Sequence, residues 1–357
     1  MKKTLISLTL TATLAAGTTA FAQTALRGGF VEGADVMFYM DSDAINQSAF
    51  AQTVEDLQPD EVKAESEAKV KAFTEATGLG EDDIKTLVLS MDIDGIDFQS
   101  QDPAQLENAQ ALLAVESAKA ITLDQLKAGL TVLAGENAKN ANMTVTEADG
   151  MQVLKLEPAE AQDGPDKAYA TLGDDGKTVL FGFNTDSLKQ GLARISGGEM
   201  ASPSDDMANA IKKIGQRHVR MVVVLPEDAR AKIREGVQAT AAQGGMGSMI
   251  APFGTVESLL ISANTRENLD LYLSLDLGNN ANATQAAGML QSMIPMFMMN
   301  AGQQLGPKAM QISQKIKIAP EESVVTMSVN LTPDDITPPK APAGGESGTT
   351  PEANGGM

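Results

Sequence analysis

The chain alternates short apolar runs with longer amphipathic stretches, a pattern that predicts strands interleaved with helices. Residues 34–40 form an apolar run that predicts a strand, and the Asp41-Ser42-Asp43 cluster after it is typical of a helix start. Residues 218–225 predict another strand, and Pro226 opens the next helix because proline is favoured in a first helical turn. Each half of the chain therefore begins with a strand that leads into a helix.

The remaining pattern predicts the same kind of elements in both halves. In the first half we expect strands at 86–93 and 110–119, a helix at 122–138, β structure at 143–156, a hairpin of 169–172 with 178–183, and a helix at 185–195. In the second half we expect strands at 256–263 and 269–277, a helix at 281–302 and β structure at 312–331. An exposed helix is predicted at 59–77, with Glu65 and Lys69 spaced for an i,i+4 ion pair.

The strand at 269–277 places leucine at every second position, from Leu269 to Leu277. Such alternation is typical of antiparallel sheets that have one covered face and one solvated face. The sequence therefore predicts an α+β fold of two duplicated halves, each a mainly antiparallel sheet with helices packed on one face. The predicted halves are residues 34–200 and 201–332.

Both ends of the chain have compositions that predict no part in this fold. Residues 1–22 resemble a cleaved export signal, with Lys2 and Lys3, an apolar stretch, and Ala20-Phe21-Ala22 as the cleavage site. A short N-terminal segment, 23–33, follows. Residues 333–357 contain five Pro and five Gly, which predicts a disordered tail. We therefore expect a periplasmic or secreted protein without a lipid anchor.

Composition excludes several classes of function. The chain has no Cys and one His, which excludes disulfides, thiolate metal sites, cysteine nucleophiles and zinc sites that need two imidazoles. Its formal net charge of −20 argues against nucleic acid as a partner. No run is long enough to predict membrane insertion, and no residue pattern calls for a cofactor.

A resemblance rests on the order of the elements, the signal and the closing stretch from Val324 to Asp335, VVTMSVNLTPDD. In these features the chain resembles exported proteins of Verrucomicrobia-type bacteria. These proteins share no agreed activity, so the resemblance implies export and adds no site.

If the protein is an enzyme, carboxylates must carry its chemistry, because His218 lies between cationic neighbours and no serine elbow accompanies it. Two aspartates can share a proton and act as acid and base. The candidate catalytic residues are Asp92 and Asp94, which an extended strand would place on one face about 7 Å apart. That separation suits an inverting glycosidase better than an aspartic dyad, which would need one Asp from each half of the chain. The alternative interpretation is a strand end followed by an Asp-Gly turn.

Methionines define the second candidate site. Met293, Met296, Met298 and Met299 lie in one predicted helix that contains Pro295. Flexible methionine surfaces accept varied apolar partners, and thioethers also bind Cu(I). The alternative interpretation is a helix that is buried between the sheet and a neighbour.

Two functions of different classes follow from these residues. The first is an exported, non-enzymatic binding or assembly protein that contacts a peptide or protein partner through the four methionines or a sheet edge. The alternative is a secreted carboxylate-dependent hydrolase, an aspartic-type peptidase acting on extracellular, mucin-like glycoprotein. Carriage of a metal or an apolar ligand is a third possibility.

Overall fold

The computed structural model describes residues 31–94, 96, 109–135, 141–158, 167–197, 203–242 and 245–337. Twelve of the described segments are strands of a single sheet. They are β1 (Val36–Asp41), β2 (Ile84–Met91), β3 (Ala111–Ser117), β4 (Ala141–Ala148), β5 (Met151–Pro158), β6 (Ala168–Leu172), β7 (Thr178–Gly182), β8 (Val219–Val224), β9 (Ser258–Asn264), β10 (Leu269–Asp276), β11 (Lys317–Glu321) and β12 (Val324–Leu331).

The sheet runs in the order β11-β12-β10-β9-β8-β1-β2-β3-β7-β6-β5-β4, and its neighbours pair antiparallel. Strand β1 lies near its middle, with Phe38 opposite both Leu89 of β2 and Met221 of β8. The prediction of two duplicated halves, each with its own sheet, is therefore wrong. Pairing β1 with β8 leaves neither strand with a free edge, which is favourable because an edge strand exposes unpaired backbone groups. The α+β class remains compatible with this structure.

Ten described α-helices accompany the sheet. They are α1 (Ser42–Asn46), α2 (Ala49–Asp56), α3 (Asp60–Thr77), α4 (Leu123–Ala134), α5 (Thr185–Ile195), α6 (Asp205–Ile214), α7 (Glu227–Ala242), α8 (Asn280–Leu305), α9 (Lys308–Lys315) and α10 (Pro333–Ile336). Two 3-10 segments, Glu81–Asp83 and Gly245–Thr255, complete the described helical structure. Local chemistry explains several starts: the side chain of Asn184, for example, accepts the N–H of Ser187 at 2.8 Å and caps α5.

One face of the sheet carries the largest core. Helices α5 and α6 cover it, and Leu188 of α5 and Met207 of α6 are fully buried there together with Tyr39 and Leu180. The same face also buries small polar side chains, among them Thr86, Ser90, Ser262 and Ser274. This face of the sheet therefore buries hydroxyl groups as well as apolar side chains.

The opposite face is covered at its two ends. Near β4–β7, Leu126 of α4 packs in a core with Leu154 and Val179. Near β12, Ala286 of α8 packs in another core with Val325. Helices therefore lie on both faces of the sheet, and the expectation that they pack on one face is wrong. Apolar residues on both faces of the strands explain the second helical layer.

The C-terminal part differs from the prediction in two places. The predicted β structure from 312 begins instead with α9, in which Ile312 is buried. The first residues of the predicted tail form α10, where Lys315 Nζ lies 2.5 Å from Asp335 Oδ2 and Lys308 Nζ donates to two backbone carbonyls. The predicted signal, most of the 23–33 segment, residues 198–202 around the predicted boundary between the halves, and residues 338–357 lie outside the described residues.

Candidate functional site

Two carboxyl groups from separate segments meet beside the central strands. Asp35 directly precedes β1 and Asp92 directly follows β2, and the antiparallel register that pairs Val36 with Met91 makes them neighbours. The N–H of Asp35 donates to the carbonyl oxygen of Met91 at 2.9 Å. The N–H of Ile93 donates to Asp35 Oδ2 at 3.1 Å. Backbone pairing thus holds the Asp35 carboxyl group in place.

The environment of Asp35 favours its protonated form. Burial raises the pKa of Asp35 from 3.8 to about 6. The hydrogen bond from the Ile93 N–H opposes this rise, whereas the negative charge of Asp92 and a side-chain hydrogen bond with Asp92 add to it. Asp94 contributes a smaller repulsion. At pH 6 the Asp35 carboxyl group is therefore protonated in about half of the molecules.

The predicted pair of Asp92 and Asp94 has a different geometry from the one expected. Strand β2 ends at Met91, and the N–H of Asp94 donates to Asp92 Oδ1 at 2.8 Å. That hydrogen bond closes an Asx-type turn, so the two side chains do not line one face of an extended strand. The placement on a strand is wrong, and the alternative interpretation of a strand end and turn agrees with the structure.

Sequence reasoning missed Asp35. The antiparallel pairing of β1 with β2 could have indicated Asp35. It brings Asp35, the residue before β1, beside Asp92, the residue after β2. The 42 residues that separate β1 from β2 hide this pairing from local pattern analysis.

His218 is part of the packing rather than of a reactive dyad. It is buried, and its Nδ1 accepts the backbone N–H of Thr265 at 3.2 Å. Burial lowers the pKa of His218, Asp41 acts in the opposite direction, and Arg266 and Arg220 lower it further. The neutral ring is therefore favoured, and its acceptor nitrogen is engaged by the main chain.

The buried Tyr39 and the partly buried Arg220 form a second polar contact at the β1–β8 pairing. The guanidinium carbon of Arg220 lies 4.3 Å from the centre of the Tyr39 ring, a cation–π geometry. Burial raises the pKa of Tyr39 to about 12. The cavity beside them measures about 10 Å³, which is room for roughly one water molecule and not for a larger ligand.

The methionine-rich helix is buried at its beginning and exposed towards its end. Ala283, Ala286 and Ala287 of α8 lie in a core. Four large side chains further along α8 and on α9 are exposed: Met296 by 52%, Phe297 by 55%, Met299 by 73% and Met310 by 73%. We call these four residues the methionine surface. Met293 and Met298, the other two predicted contact residues, are partly exposed.

Neither a metal site built from carboxylate, imidazole or thiol groups nor a membrane-spanning helix is found among the described residues. Among them, no three Asp, Glu, His or Cys side chains cluster closely enough to hold a metal ion. None of the helices in the described ranges has the length and apolar character needed to cross a bilayer.

Comparison with protein-family models, with curated proteins and with solved structures finds no match to this chain. Its function is therefore argued from the geometry of its own residues.

Proposed function

We propose that this chain is an exported, non-enzymatic binding protein that contacts a peptide or protein partner through the methionine surface. The observation that carries the proposal is the exposure of Met296, Phe297, Met299 and Met310, each more than half accessible. Large apolar side chains that stay exposed leave favourable burial unrealised, and this supports a role for them in contact with a partner. Export rests on the pattern of residues 1–22.

The composition of α8 supports a contact role. Its 26 residues include no Asp, Glu, Lys or Arg, although the whole chain carries a net charge of −20. A neutral surface on an acidic protein can approach a partner with little electrostatic repulsion. Methionine side chains adapt to different partner shapes because they are unbranched and have three rotatable bonds.

Photo-cross-linking in the native host tests this proposal. A photoreactive residue at Met299 is expected to give one discrete adduct of higher mass, because this side chain would lie at the contact. The same residue at Gln285, an exposed position in the first half of α8, serves as the matched control. Changing Met296, Phe297 and Met310 together to Ser should reduce the Met299 adduct at least tenfold. Equal adducts from Met299 and Gln285, or none from Met299, would contradict the proposal.

A second candidate function is carboxylate-dependent hydrolysis, favoured by one observation, the proton-sharing pair of Asp35 and Asp92. A carboxyl group with a raised pKa beside a second carboxyl group can take part in acid–base chemistry near pH 6. Digestion of casein and mucin between pH 3 and 8, with and without pepstatin, tests this function. We expect turnover to fall at least a hundredfold in Asp92→Asn if the pair is catalytic, with Asp94→Asn as the control. The absence of turnover at every pH would exclude hydrolysis of these substrates.

A further inference from the structure

The two edge strands of the sheet differ in how well they resist further pairing. Strand β11 forms one edge and is short, with five residues that include Lys317, Pro320 and Glu321. Short length, proline and charge all disfavour the addition of another strand. Strand β4 forms the other edge; it has eight residues, none of them proline or lysine, and Glu147 is its one charged residue. Among the described strands β4 pairs only with β5, so its outer edge lacks most of this protection.

The turn between β4 and β5 determines which backbone groups of β4 point outward. Asp149 and Gly150 have φ angles of 53° and 76°, as a two-residue type I′ hairpin turn requires. Ala148 and Met151 flank this turn and so form a hydrogen-bonded pair, and such pairs alternate with outward-facing residues along an antiparallel strand. The outward-facing N–H and C=O groups therefore belong to Met143, Val145 and Glu147. Within the described residues these groups have no hydrogen-bond partner.

The side chains of β4 alternate between a polar face and an apolar face. Asn142, Thr144 and Thr146 are exposed on one face, where Thr144 Oγ1 donates to Asn142 Oδ1 at 3.3 Å. Met143 and Val145 on the other face pack against the core under α4. A strand added at this edge would continue both faces only if it has the same alternation.

A second copy of β4 has this alternation. Antiparallel pairing joins outward-facing residues to outward-facing residues, and a register centred on Thr144 satisfies this requirement. In that register Thr144 lies opposite Thr144 of the second copy, and Met143 lies opposite Val145. Cross-strand pairs of threonines and of apolar residues stabilise a sheet. The strand is therefore complementary to itself.

The charge distribution also permits this pairing. In the register centred on Thr144, Glu147 lies opposite Ala141, so the two strands set no like charges against each other. A register centred on Val145 would instead set Glu147 opposite Met143, a charged residue opposite an apolar one. The twelve strands extend over roughly 53 Å at about 4.8 Å per step, so pairing at one edge keeps most of the net charge of −20 well beyond the screening length of about 8 Å.

We propose that two copies of this chain pair through their β4 edges and form one continuous sheet. Helix α8, which carries most of the methionine surface, contacts β11 and β12 at the opposite end of the sheet. The dimer would therefore present a methionine surface at each of its outer ends and bind a partner at both. The pairing itself does not depend on the proposed function, because β4 contributes nothing to the methionine surface.

A cysteine variant tests the register, because the chain contains no cysteine of its own. In a non-hydrogen-bonded antiparallel pair the two Cα atoms lie about 4.5 Å apart, within the range for a disulfide. Thr144→Cys is therefore expected to form a disulfide-linked dimer on mild oxidation. Thr146→Cys is the matched control, because it is exposed on the same face but would lie roughly 14 Å from its counterpart, too far for a disulfide. We expect at least ten times more linked dimer from Thr144→Cys.

Sedimentation of the wild-type chain gives a second measurement. It should show a dimer at micromolar concentration, and Thr144→Lys should convert it to a monomer, because two ammonium groups would meet at the symmetry axis. Thr146→Lys, which would face Asn142 of the other copy, should stay dimeric. A wild-type monomer would overturn the proposal and leave the β4 edge to an extended peptide of another protein. Equal disulfide formation by the two cysteine variants, or a dimer that persists in Thr144→Lys, would overturn it as well.

Discussion

Replacing Leu188 with Ala is expected to lower the free energy of unfolding by about 3–4 kcal/mol, within the range for a fully buried leucine. Leu188 of α5 is completely buried in the core that joins α5 to the central strands. Its neighbours are held in place by close helix packing: a Cβ atom on Gly191 would lie 2.9 Å from Leu112 Cδ2 and 3.0 Å from Leu180 Cδ1. The backbone therefore has little freedom to move and fill the cavity.

Urea-induced unfolding followed by circular dichroism measures this change. The midpoint should fall while the dependence on urea concentration stays the same, because the unfolded chain exposes nearly the same surface. Leu192→Ala in the same helix is the control; that side chain is only partly buried, so we expect a loss of about 1–2 kcal/mol. Equal losses for the two variants would show that α5 does not pack as described.

Local elements were predictable because they depend on short-range periodicity and capping. The hairpin of β6 and β7 and helix α5 lie where the sequence placed them, and the predicted ion pair of Glu65 with Lys69 is present at 2.6 Å. The assembly of the strands was not predictable in the same way. Pairing of β1 with β8 joins residues about 180 positions apart, and no local pattern encodes which strand edges meet.

The candidate sites also differ in whether they depend on local sequence or on the pairing of distant strands. The methionine-rich helix was visible in the sequence because its residues are contiguous, but its exposure depends on where α8 leaves the sheet. The Asp35–Asp92 pair arises from strand register. The alternation of Leu271 and Leu273 was visible, but it predicts an apolar face without saying whether a helix covers it.

Asp35→Asn is expected to stabilise the protein at neutral pH. The pKa of Asp35 is raised by burial to about 6 in the folded chain, compared with 3.8 for the ordinary carboxyl group. Between these values the folded state binds more protons than the unfolded state, so this group's contribution is complete below about pH 4 and is lost as the pH rises towards 6. The loss at pH 7.5 is on the order of 3 kcal/mol, because each pKa unit corresponds to about 1.4 kcal/mol.

Asparagine removes the charge and keeps the local contacts. Its carbonyl oxygen can accept the Ile93 N–H as Asp35 Oδ2 does, and its amide can donate to Asp92. Urea unfolding at pH 7.5 should therefore show a gain of about 2–3 kcal/mol for Asp35→Asn, and at pH 4 a difference close to zero. Asp94→Asn is the control, because Asp94 is exposed and contributes a smaller repulsion.

The same variant separates a structural role from a catalytic one. A carboxyl group that destabilises the fold at neutral pH is typical of a site where function outweighs stability. If Asp35→Asn gains stability and leaves cross-linking from Met299 unchanged, the pair has no part in partner contact. If it gains stability and abolishes a measured hydrolysis, the carboxyl pair is the reactive centre. A difference that does not depend on pH would contradict the burial of a protonated Asp35.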